Sequence, residues 1–572
     1  MEKWVLLRKG ADFQKIGKQF HIQPRIASLI RNRDIIGEKA IDTYLHGTIA
    51  DLHDGMWMKD MDKAVEILSE KIREGQKIRV IGDYDIDGIH STYILLEGIR
   101  LLGGNVDIDI PDRMKDGYGL NKHLIESAFD ADVDTIVTCD NGIAAREEIA
   151  YGKEMGMTII VTDHHEVPYE EAEGEKKYLL PPADAVVDPK QVDCTYPFDG
   201  LCGAGVAYKL VEALYNVMGK DVEDVDYLME NVAIATVGDV MDLVDENRIF
   251  VKQGLEMLKQ TKNLGMKALM ECTKVPVDRL SAYHIGFVLG PCMNASGRLD
   301  TAKRALELLC ANTKKEADIL AGDLKALNDS RKDMTEVAVK QAITQVEETA
   351  IGEDRVVVVY LPDCHESLAG IVAGRLRERY HKPTYVLTKG TEGVKGSGRS
   401  IEAYSMYDEL HKCRQLLTKF GGHKLAAGLS LDETKVAEFR KKINEVSTLT
   451  VEDLVEKVSI DMQLPFSEVN EEFIRELALL EPFGKGNTKP VFVEKNIEIL
   501  NYKVLGKREN VLKLRVQDGS GVQLDALYFG DIPLFLSQIE QNPHEKRAFV
   551  YYPGINEYMG RKTLQITIGN YQ

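Results

Sequence analysis

Lys77-Ile-Arg-Val-Ile-Gly-Asp83-Tyr-Asp85-Ile-Asp87-Gly88 is a short β-branched run that ends in three alternating aspartates. Two more runs end in acidic clusters: Asp134-Thr-Ile-Val-Thr-Cys139 in Asp140-Asn141-Gly142, and Met157-Thr-Ile-Ile-Val-Thr162 in Asp163-His164-His165. Runs of this length and composition read as strands. Helical patterns over 90–102, 121–129 and 145–155 separate them, with further strands over 106–110 and 184–188. Alternation at this spacing predicts an α/β fold built on a doubly wound parallel sheet. In such sheets ligands gather outside the carboxyl ends of the strands. If the three runs are neighbours, five aspartates and two histidines converge in one crevice. So many like charges stay ionised together only if cations neutralise them. That is the composition of a two-metal hydrolytic site.

Other readings of these clusters are weaker. Asp83-x-Asp85-x-Asp87-Gly88 superficially matches a calcium loop, but the twelfth position, which needs a bidentate Glu, is Ile94, and a strand precedes it where a helix is required. Alternate strand residues Asp83, Asp85 and Asp87 can face one way, with Gly88 permitting the turn into the next helix. A single Asp at a strand end is most often a turn former or cap. Asp163 repeats the arrangement of Asp140 one βα unit later, with two histidines behind it, which argues against that plainer role. Imidazoles among carboxylates favour Mn²⁺ or Zn²⁺, and the oxygen-rich balance favours Mn²⁺ or Mg²⁺.

The 572 residues exceed a single core and suggest about three or four domains. No stretch approaches the roughly 20 apolar residues that span a bilayer. The first residues lack the apolar region of a signal peptide, and the eight cysteines form no Cys-x-x-Cys pair. A cytoplasmic protein without zinc ribbons or disulfides is expected. The net charge of −20 opposes indiscriminate nucleic-acid binding but leaves room for a local basic groove. Residues 361–430 carry 11 Lys+Arg against 7 Asp+Glu.

The expected organisation is an N-terminal helical segment over 1–75, a first α/β domain over 76–312, and a long helix over 313–350. That helix holds no Pro and would extend ~57 Å at 1.5 Å per residue, enough to bridge two domains. A second α/β domain over 351–450 starts at Arg355-Val-Val-Val-Val-Tyr360. The last part, 451–572, reads as short strands (491–500, 511–517, 522–529) between turn residues, which suits a small β-barrel. The second α/β domain carries two Gly-rich loops, Lys395-Gly-Ser-Gly-Arg-Ser400 and Gly421-Gly-His-Lys-Leu-Ala-Ala-Gly428. Backbone amides, hydroxyls and a guanidinium there suit an anion, although a plain turn reads equally well from four residues. There is no Walker A lysine motif and no Gly-x-Ser-x-Gly elbow.

Asp-x-Asp-x-Asp-Gly, Asp-Asn-Gly and Asp-His-His in this order resemble the DHH phosphoesterases. Later motifs resemble, within them, the RecJ single-strand-specific 5′→3′ exonucleases. These are Ile110-Pro-Asp-Arg113 to Gly119, Thr236-Val-Gly-Asp239-Val, Asn294-Ala-Ser-Gly-Arg298, Gly396-Ser-Gly-Arg-Ser400, Gly421-Gly-His423 and Leu480-Glu-Pro-Phe-Gly-Lys-Gly-Asn487. The resemblance implies a DHH parallel-sheet domain and a smaller DHHA1 domain joined by the long helix, followed by an OB-fold β-barrel for nucleic acid. It implies two Mn²⁺ or Mg²⁺ ions held by Asp83, Asp85, Asp87, Asp140, His164 and Asp239, with Asp83 either binding directly or supporting the other ligands. His165, with Asp163, and His423 from the opposite domain would act at the scissile phosphate. Arg113, Arg298, Ser397 and Arg399 would hold a terminal 5′ phosphate.

Two positions depart from the family pattern. Pro291-Cys292-Met293 stands where Pro-Arg usually precedes the Asn-Ala-x-Gly-Arg loop, and Ser367 stands where Gly is usual. The resemblance implies an exonuclease of single-stranded DNA that releases mononucleotides in DNA repair and recombination. The chain is expected to be monomeric, independent of membranes, and supplied with substrate by a helicase and a single-strand-binding protein. The rival readings are a DHH phosphodiesterase of oligoribonucleotides or cyclic dinucleotides, and a non-catalytic replication scaffold. The extra C-terminal barrel disfavours the first and the intact aspartates the second.

Overall fold

The computed structural model describes residues 2–112, 119–172, 175–390, 393–506, 509–558 and 560–572. Two compact units form. The first comprises Asp54–Asp239 and Glu256–Glu456, with two N-terminal residues; the second comprises Lys3–His53, Val240–Leu255 and Lys457–Gln572.

The first unit opens on five strands: β1 (Lys77–Ile81), β2 (Asn105–Asp109), β3 (Thr135–Cys139), β4 (Thr158–Thr162) and β5 (Ala185–Val187). They pair in the order β2-β1-β3-β4-β5, all parallel. The chain winds one way from β1 to β2 and the other way from β3 onward, so β1 and β3 flank the switch point where such sheets bind ligands. β3 is buried at every residue, as a strand covered on both faces requires. Four helices of this domain bear on the site: α1 (Ile86–Leu101), α2 (Gly203–Val217), α3 (Met229–Gly238) and α4 (Gly290–Leu299).

The expected long helix is α5 (Lys314–Glu348), whose 35 residues extend about 52 Å. Thr313 caps it by accepting a hydrogen bond from the Glu316 amide at 3.2 Å. It leads to a mixed sheet of β6 (Val357–Tyr360), β7 (Thr384–Lys389), β8 (Val394–Arg399), β9 (Lys419–Gly422) and β10 (Ala426–Leu431), in the order β9-β10-β8-β7-β6. Helix α6 (Ala369–Tyr380) packs on β7 and β8.

In the second unit β11 (Phe492–Leu505), β12 (Val511–Gln517), β13 (Gln523–Tyr528), β14 (Arg547–Tyr558) and β15 (Arg561–Tyr571) run in the order β11-β12-β13-β15-β14, and β14 returns to β11. That closure makes a small barrel of five strands, with the short strand Met462–Gln463 paired in parallel beside Phe492–Val493. Its core includes Phe492, Phe535, Phe549 and Tyr551, and it also takes in Ile26, Leu29 and Tyr44 of the N-terminal helices. The first residues are not wholly helical. Lys3–Leu6 is a strand paired in parallel with Lys457–Ile460, whereas the helix Met61–Arg73 belongs to the first unit. Arg248 fastens this unit internally, stacking 3.8 Å over the Tyr44 ring and donating to the Tyr44 and Leu480 carbonyls at 2.8 and 3.0 Å.

Glu230, in the first turn of α3, is buried and accepts a hydrogen bond from the Thr261 hydroxyl at 2.7 Å. Burial pushes its carboxyl from 4.5 up to about 7. The folded chain therefore holds this proton more tightly than the unfolded chain, and stability falls as pH rises between those two values. Glu230→Gln is expected to remove a pH-dependent loss of about 3 kcal/mol. Melting of the two proteins at pH 5 and pH 8 checks this: wild type should lose more on going to pH 8, and parallel losses would refute it.

Candidate metal centre and phosphate pocket

The three acidic clusters meet at the carboxyl edge of the parallel sheet, though not by the strand alternation expected for the first. β1 ends at Ile81, and α1 begins at Ile86. Asp85 is the cap of α1, its carboxylate accepting from the Asp87 and Gly88 amides at 3.0 and 3.2 Å. Asp87 lies in the first helical turn, and Gly88 is within the helix, not at a turn before it. The start of α2 faces Asp87, and the Gly203 and Ala204 amides donate to its two oxygens at 2.6 and 2.8 Å. A carboxylate at a helix N-terminus is stabilised by those unpaired amides and by the dipole. Gly203 is required there, because a Cβ would fall 2.7 Å from the Asp140 Cβ.

Asp140 follows β3 with φ 59°, in the left-handed region. Asn141 braces the adjoining strand ends, donating to the Ile81 and Cys139 carbonyls at 3.1 and 2.9 Å and accepting from the Leu120 amide at 3.2 Å. His164 Nε2 lies 3.0 Å from Asp140 and 3.5 Å from Asp87. Asp239 caps the end of α3, and the next residue, Val240, also has φ 59°. A β-branched residue in that region is strained, as backbones at functional sites often are.

Three overlapping triads result. Asp83, Asp85 and Asp140 each offer a ligand atom within 4.8 Å of the others, as do Asp87, His164 and Asp239, and Asp140, His164 and His165. Asp83 Oδ2 and His164 Nδ1 are buried with no hydrogen-bond partner among the described residues. Leaving such atoms unpaired is costly, and a cation would satisfy the carboxylate. An oxygen-rich set with imidazole nitrogen fits Mn²⁺ and admits Mg²⁺. The electrostatics agree. Burial, then the Asp85 charge, raises Asp83 to about 7. Asp140 is pushed well above the carboxylate range by burial and by the charges of Asp87, Asp85, Asp239 and Asp83.

Asp163 behaves differently and stands in none of these triads. One oxygen accepts from the His164 amide at 2.7 Å and from His165 Nδ1 at 2.8 Å, and the other accepts from the Ile143 amide at 2.9 Å. Burial opposes its charge, yet the His165 hydrogen bond and charge hold it below the usual range. Its geometry is that of a residue that orients His165. Asp188, at the end of β5, was not singled out from the sequence. It is buried, one of its oxygens has no partner among the described residues, and burial and the Asp163 charge raise it to about 8. It closes an apolar run as Asp140 and Asp163 do, so the same strand-end signal was readable.

The second constellation is a cavity of about 460 Å³ lined by Arg298, Ser367, Thr388, Lys395, Ser397 and Arg399, among others. Gly396-Ser-Gly-Arg399 lies in β8, not in a loop. Alternation along the strand explains its composition. Gly396 packs against Leu387 and Gly398 against Tyr385, which turns Lys395, Ser397 and Arg399 together into the cavity. Arg399 donates to Ser397 Oγ at 3.2 Å. Ser367, at the departure from the family pattern, is on the wall, with its hydroxyl 2.7 Å from His365 Nδ1. Cys292 is buried with its sulfur 3.3 Å from the Asn328 amide nitrogen. Arg113 lies outside the described residues. His423 sits at the exposed tip between β9 and β10, its ring nitrogen 3.3 Å from the Leu425 amide.

Asn294–Arg298 lies within α4, where a loop was expected, and links the two constellations. A Cβ at Gly297 would fall 2.6 Å from the Tyr84 carbonyl oxygen, between Asp83 and Asp85. The next residue, Arg298, lines the cavity and donates to the Ser367 carbonyl at 3.0 Å.

Family models match this chain in three places: the DHH family N-terminal domain over 77–236, the DHHA1 domain over 353–448 and the RecJ OB domain over 460–570. It is 35% identical to the single-stranded-DNA-specific exonuclease RecJ of Bacillus subtilis, over 99% of this chain and 70% of that protein. With the Escherichia coli exonuclease RecJ it shares 32% identity over 100% and 99% of the two chains. The chain belongs to the RecJ family. The crystal structure of Thermus thermophilus RecJ in complex with Mn²⁺ matches with a TM-score of 0.84 at 27% identity, over 100% of this chain and 79% of that one. Its complex with Mg²⁺ matches with a TM-score of 0.79 at 26% identity, over 100% and 78%. Among the described residues no helix is long and apolar enough to cross a membrane.

Gly297→Ala places a methyl group against the Tyr84 backbone. It is expected to weaken Mn²⁺ binding at least about tenfold, since the clash must shift the loop that carries Asp83 and Asp85. Calorimetric titration of the purified protein with Mn²⁺ checks this, and an unchanged affinity would overturn it.

Proposed function

We propose that this RecJ-family chain is a metal-dependent exonuclease that degrades single-stranded DNA from its 5′ end, releases mononucleotides, and acts in DNA repair and recombination. The observation that carries the reading is α4, which packs on the Asp83–Asp85 loop through Gly297 and reaches the cavity lined by Ser397 and Arg399 through Arg298 one residue later. An anion bound in that cavity is thereby registered against the acidic crevice.

Asp83, Asp85, Asp87, Asp140, His164 and Asp239 would hold two Mn²⁺ or Mg²⁺ ions. When bound there, such ions neutralise phosphate charge and activate water for phosphodiester hydrolysis. The protein does the rest by position. The α2 amides and the Asn141 braces hold the carboxylates in place while they are close together. Asp163 fixes His165, which faces the scissile phosphate, and His423 approaches it from the β9–β10 tip. Arg298, Ser397 and Arg399, with Arg113, take the terminal 5′ phosphate through charge-assisted hydrogen bonds, and Lys395 and Thr388 extend that pocket. Anchoring the 5′ end sets the polarity of cutting. The barrel holds the strand by stacking and charge, as OB folds do. The protein works as a monomer in the cytoplasm, on strands opened by a helicase and covered by a single-strand-binding protein.

The decisive experiment offers labelled single strands and duplexes to the protein with Mn²⁺, with a chelator, and with Asp140→Ala. Loss of single strands from the 5′ end in Mn²⁺ alone, with activity down at least about 10³-fold in the variant, is expected. Loss from the 3′ end, or activity that survives the chelator, would refute the mechanism. A second measurement concerns the pocket. Arg399→Ala should raise KM for a 5′-phosphorylated strand by about tenfold or more, with little change for a 5′-hydroxyl strand. Equal effects on both ends would remove Arg399 from phosphate recognition.

A further inference from the structure

Helices α5 and α6 pack on one another, and between them lies a cavity of about 330 Å³ that shares no lining residue with the phosphate cavity. Adjacent residues of α6 belong to the two: Gly370 lines the phosphate cavity and Ile371 the second one. Helical spacing builds the walls. Arg331, Thr335 and Val339 recur every four residues along one face of α5, with Lys332 and Glu336 beside them, and Ile371 and Arg375 stand four apart on α6. Val339 and Ile371 rest on the apolar core beneath the two helices, which makes one wall apolar.

The cations of this cavity are short of counter-charge. Arg331 Nε is buried without a hydrogen-bond partner, and among the described residues no carboxylate lies within ion-pair distance of Arg331 or Lys332. Arg375 has Glu378 at 3.6 Å, but Glu378 is shared with Arg377 at 3.7 Å. Glu336 is held by Lys340 at 2.8 Å. Burial and then the Arg375 charge push Arg331 below the usual guanidinium range, so the two arginines are close enough to repel. A guanidinium keeps its proton all the same. An unpaired buried donor is costly, and an anion between the two arginines would satisfy the donor and relieve the repulsion together.

We infer that the cavity between α5 and α6 is a second phosphate site, separate from the Arg399 cavity and the acidic crevice, that takes the phosphoryl group of a nucleotide. Arg331, Lys332 and Arg375 would hold the phosphoryl oxygens through charge-assisted hydrogen bonds, and Val339 and Ile371 offer the organic part an apolar wall. Cavities of about 300 Å³ or more, largely apolar with a few convergent polar groups, are the common form of small-ligand sites. The phosphoryl group belongs either to a free mononucleotide or to an interior linkage of a strand. Its binding would bear on α6 beside Gly370, where a Cβ would stand 2.8 Å from Arg399 Nη2. The second site thus adjoins the residue proposed to read the strand end.

The test titrates the full-length protein calorimetrically in metal-free buffer, where the acidic crevice repels phosphate. Arg399→Ala serves as the background, so that the first cavity is silenced. The probes are deoxyadenosine 5′-monophosphate and, separately, a short single strand that begins with a 5′ hydroxyl. Adding Arg331→Gln, or Arg375→Gln at the exposed and less packed position, is expected to weaken binding of one probe about tenfold or more. Loss with the mononucleotide assigns the site to free nucleotide, and loss with the strand alone assigns it to an interior linkage. Binding of both probes that neither substitution alters, or no binding in the background, would overturn the site. A loss confined to Arg331→Gln would also overturn it, as the mark of altered packing. Both readouts are of binding, so they stand apart from the cleavage assays that test the nuclease reading.

Discussion

Mutual repulsion among buried carboxylates is the constraint on which the rest of this structure depends. Asp83, Asp87, Asp140 and Asp163 are each at most 2% exposed at one sheet edge, where like charges raise one another's cost of ionisation. The fold answers with fixed donors. The α2 amides take Asp87, the first turn of α1 takes Asp85, and the Ile143 and His164 amides with His165 take Asp163. Asp83 and Asp140 retain raised affinities for protons. A site that binds protons tightly for electrostatic reasons binds cations for the same reasons, once the ligand atoms are placed for them.

Ile86 shows how that placement is coupled to the neighbouring elements. Its side chain, between Asp85 and Asp87, packs where a Cβ on Gly290 would stand 3.1 Å away and one on Gly238 2.6 Å away. The helix that ends in Asp239 and the helix that carries Arg298 are therefore both set against one side chain of the first acidic cluster. The candidate metal ligands and the proposed phosphate contacts come from distant sequence positions, yet their spacing is governed by packing within one domain. Such packing tolerates little added volume.

Much of this was legible in the sequence, and what was not has physical reasons. Strand-end aspartates at the spacing of βα units gave the parallel sheet and the crevice, because the period of hydrophobicity and the position of polar punctuation are local properties. The long helix was equally plain, since Lys314–Glu348 holds no proline and a single glycine, Gly322. Glycine misled in two places. Gly396 and Gly398 looked like a loop, and Gly297 looked like part of one, but all three lie in regular elements where a neighbour approaches too closely for a Cβ. A short sequence pattern does not distinguish a glycine chosen for its backbone freedom from one chosen for the absence of a side chain. The grouping of Lys3–His53 with the barrel was hidden for another reason: it rests on long-range packing and on a strand of four residues.

Under the proposed function the two halves of the site would differ in how they choose a substrate. The acidic crevice has no means of telling one phosphodiester from another, because carboxylates and imidazoles respond to charge and geometry that every nucleic acid offers. Discrimination must come from groups that contact what surrounds the bond. In β8 the alternation of glycine with Lys395, Ser397 and Arg399 gathers a guanidinium, a hydroxyl and an ammonium paired with Glu366 at 2.9 Å on one face, a set in which Arg399 and Ser397 suit the more highly charged end of a strand over its interior linkages. The proposed function thus puts chemistry and selectivity on separate sheets, related by the short helix from Gly290 to Leu299. A change in end preference can arise in β8 without disturbing the aspartates, whereas a change that moves α4 must disturb both.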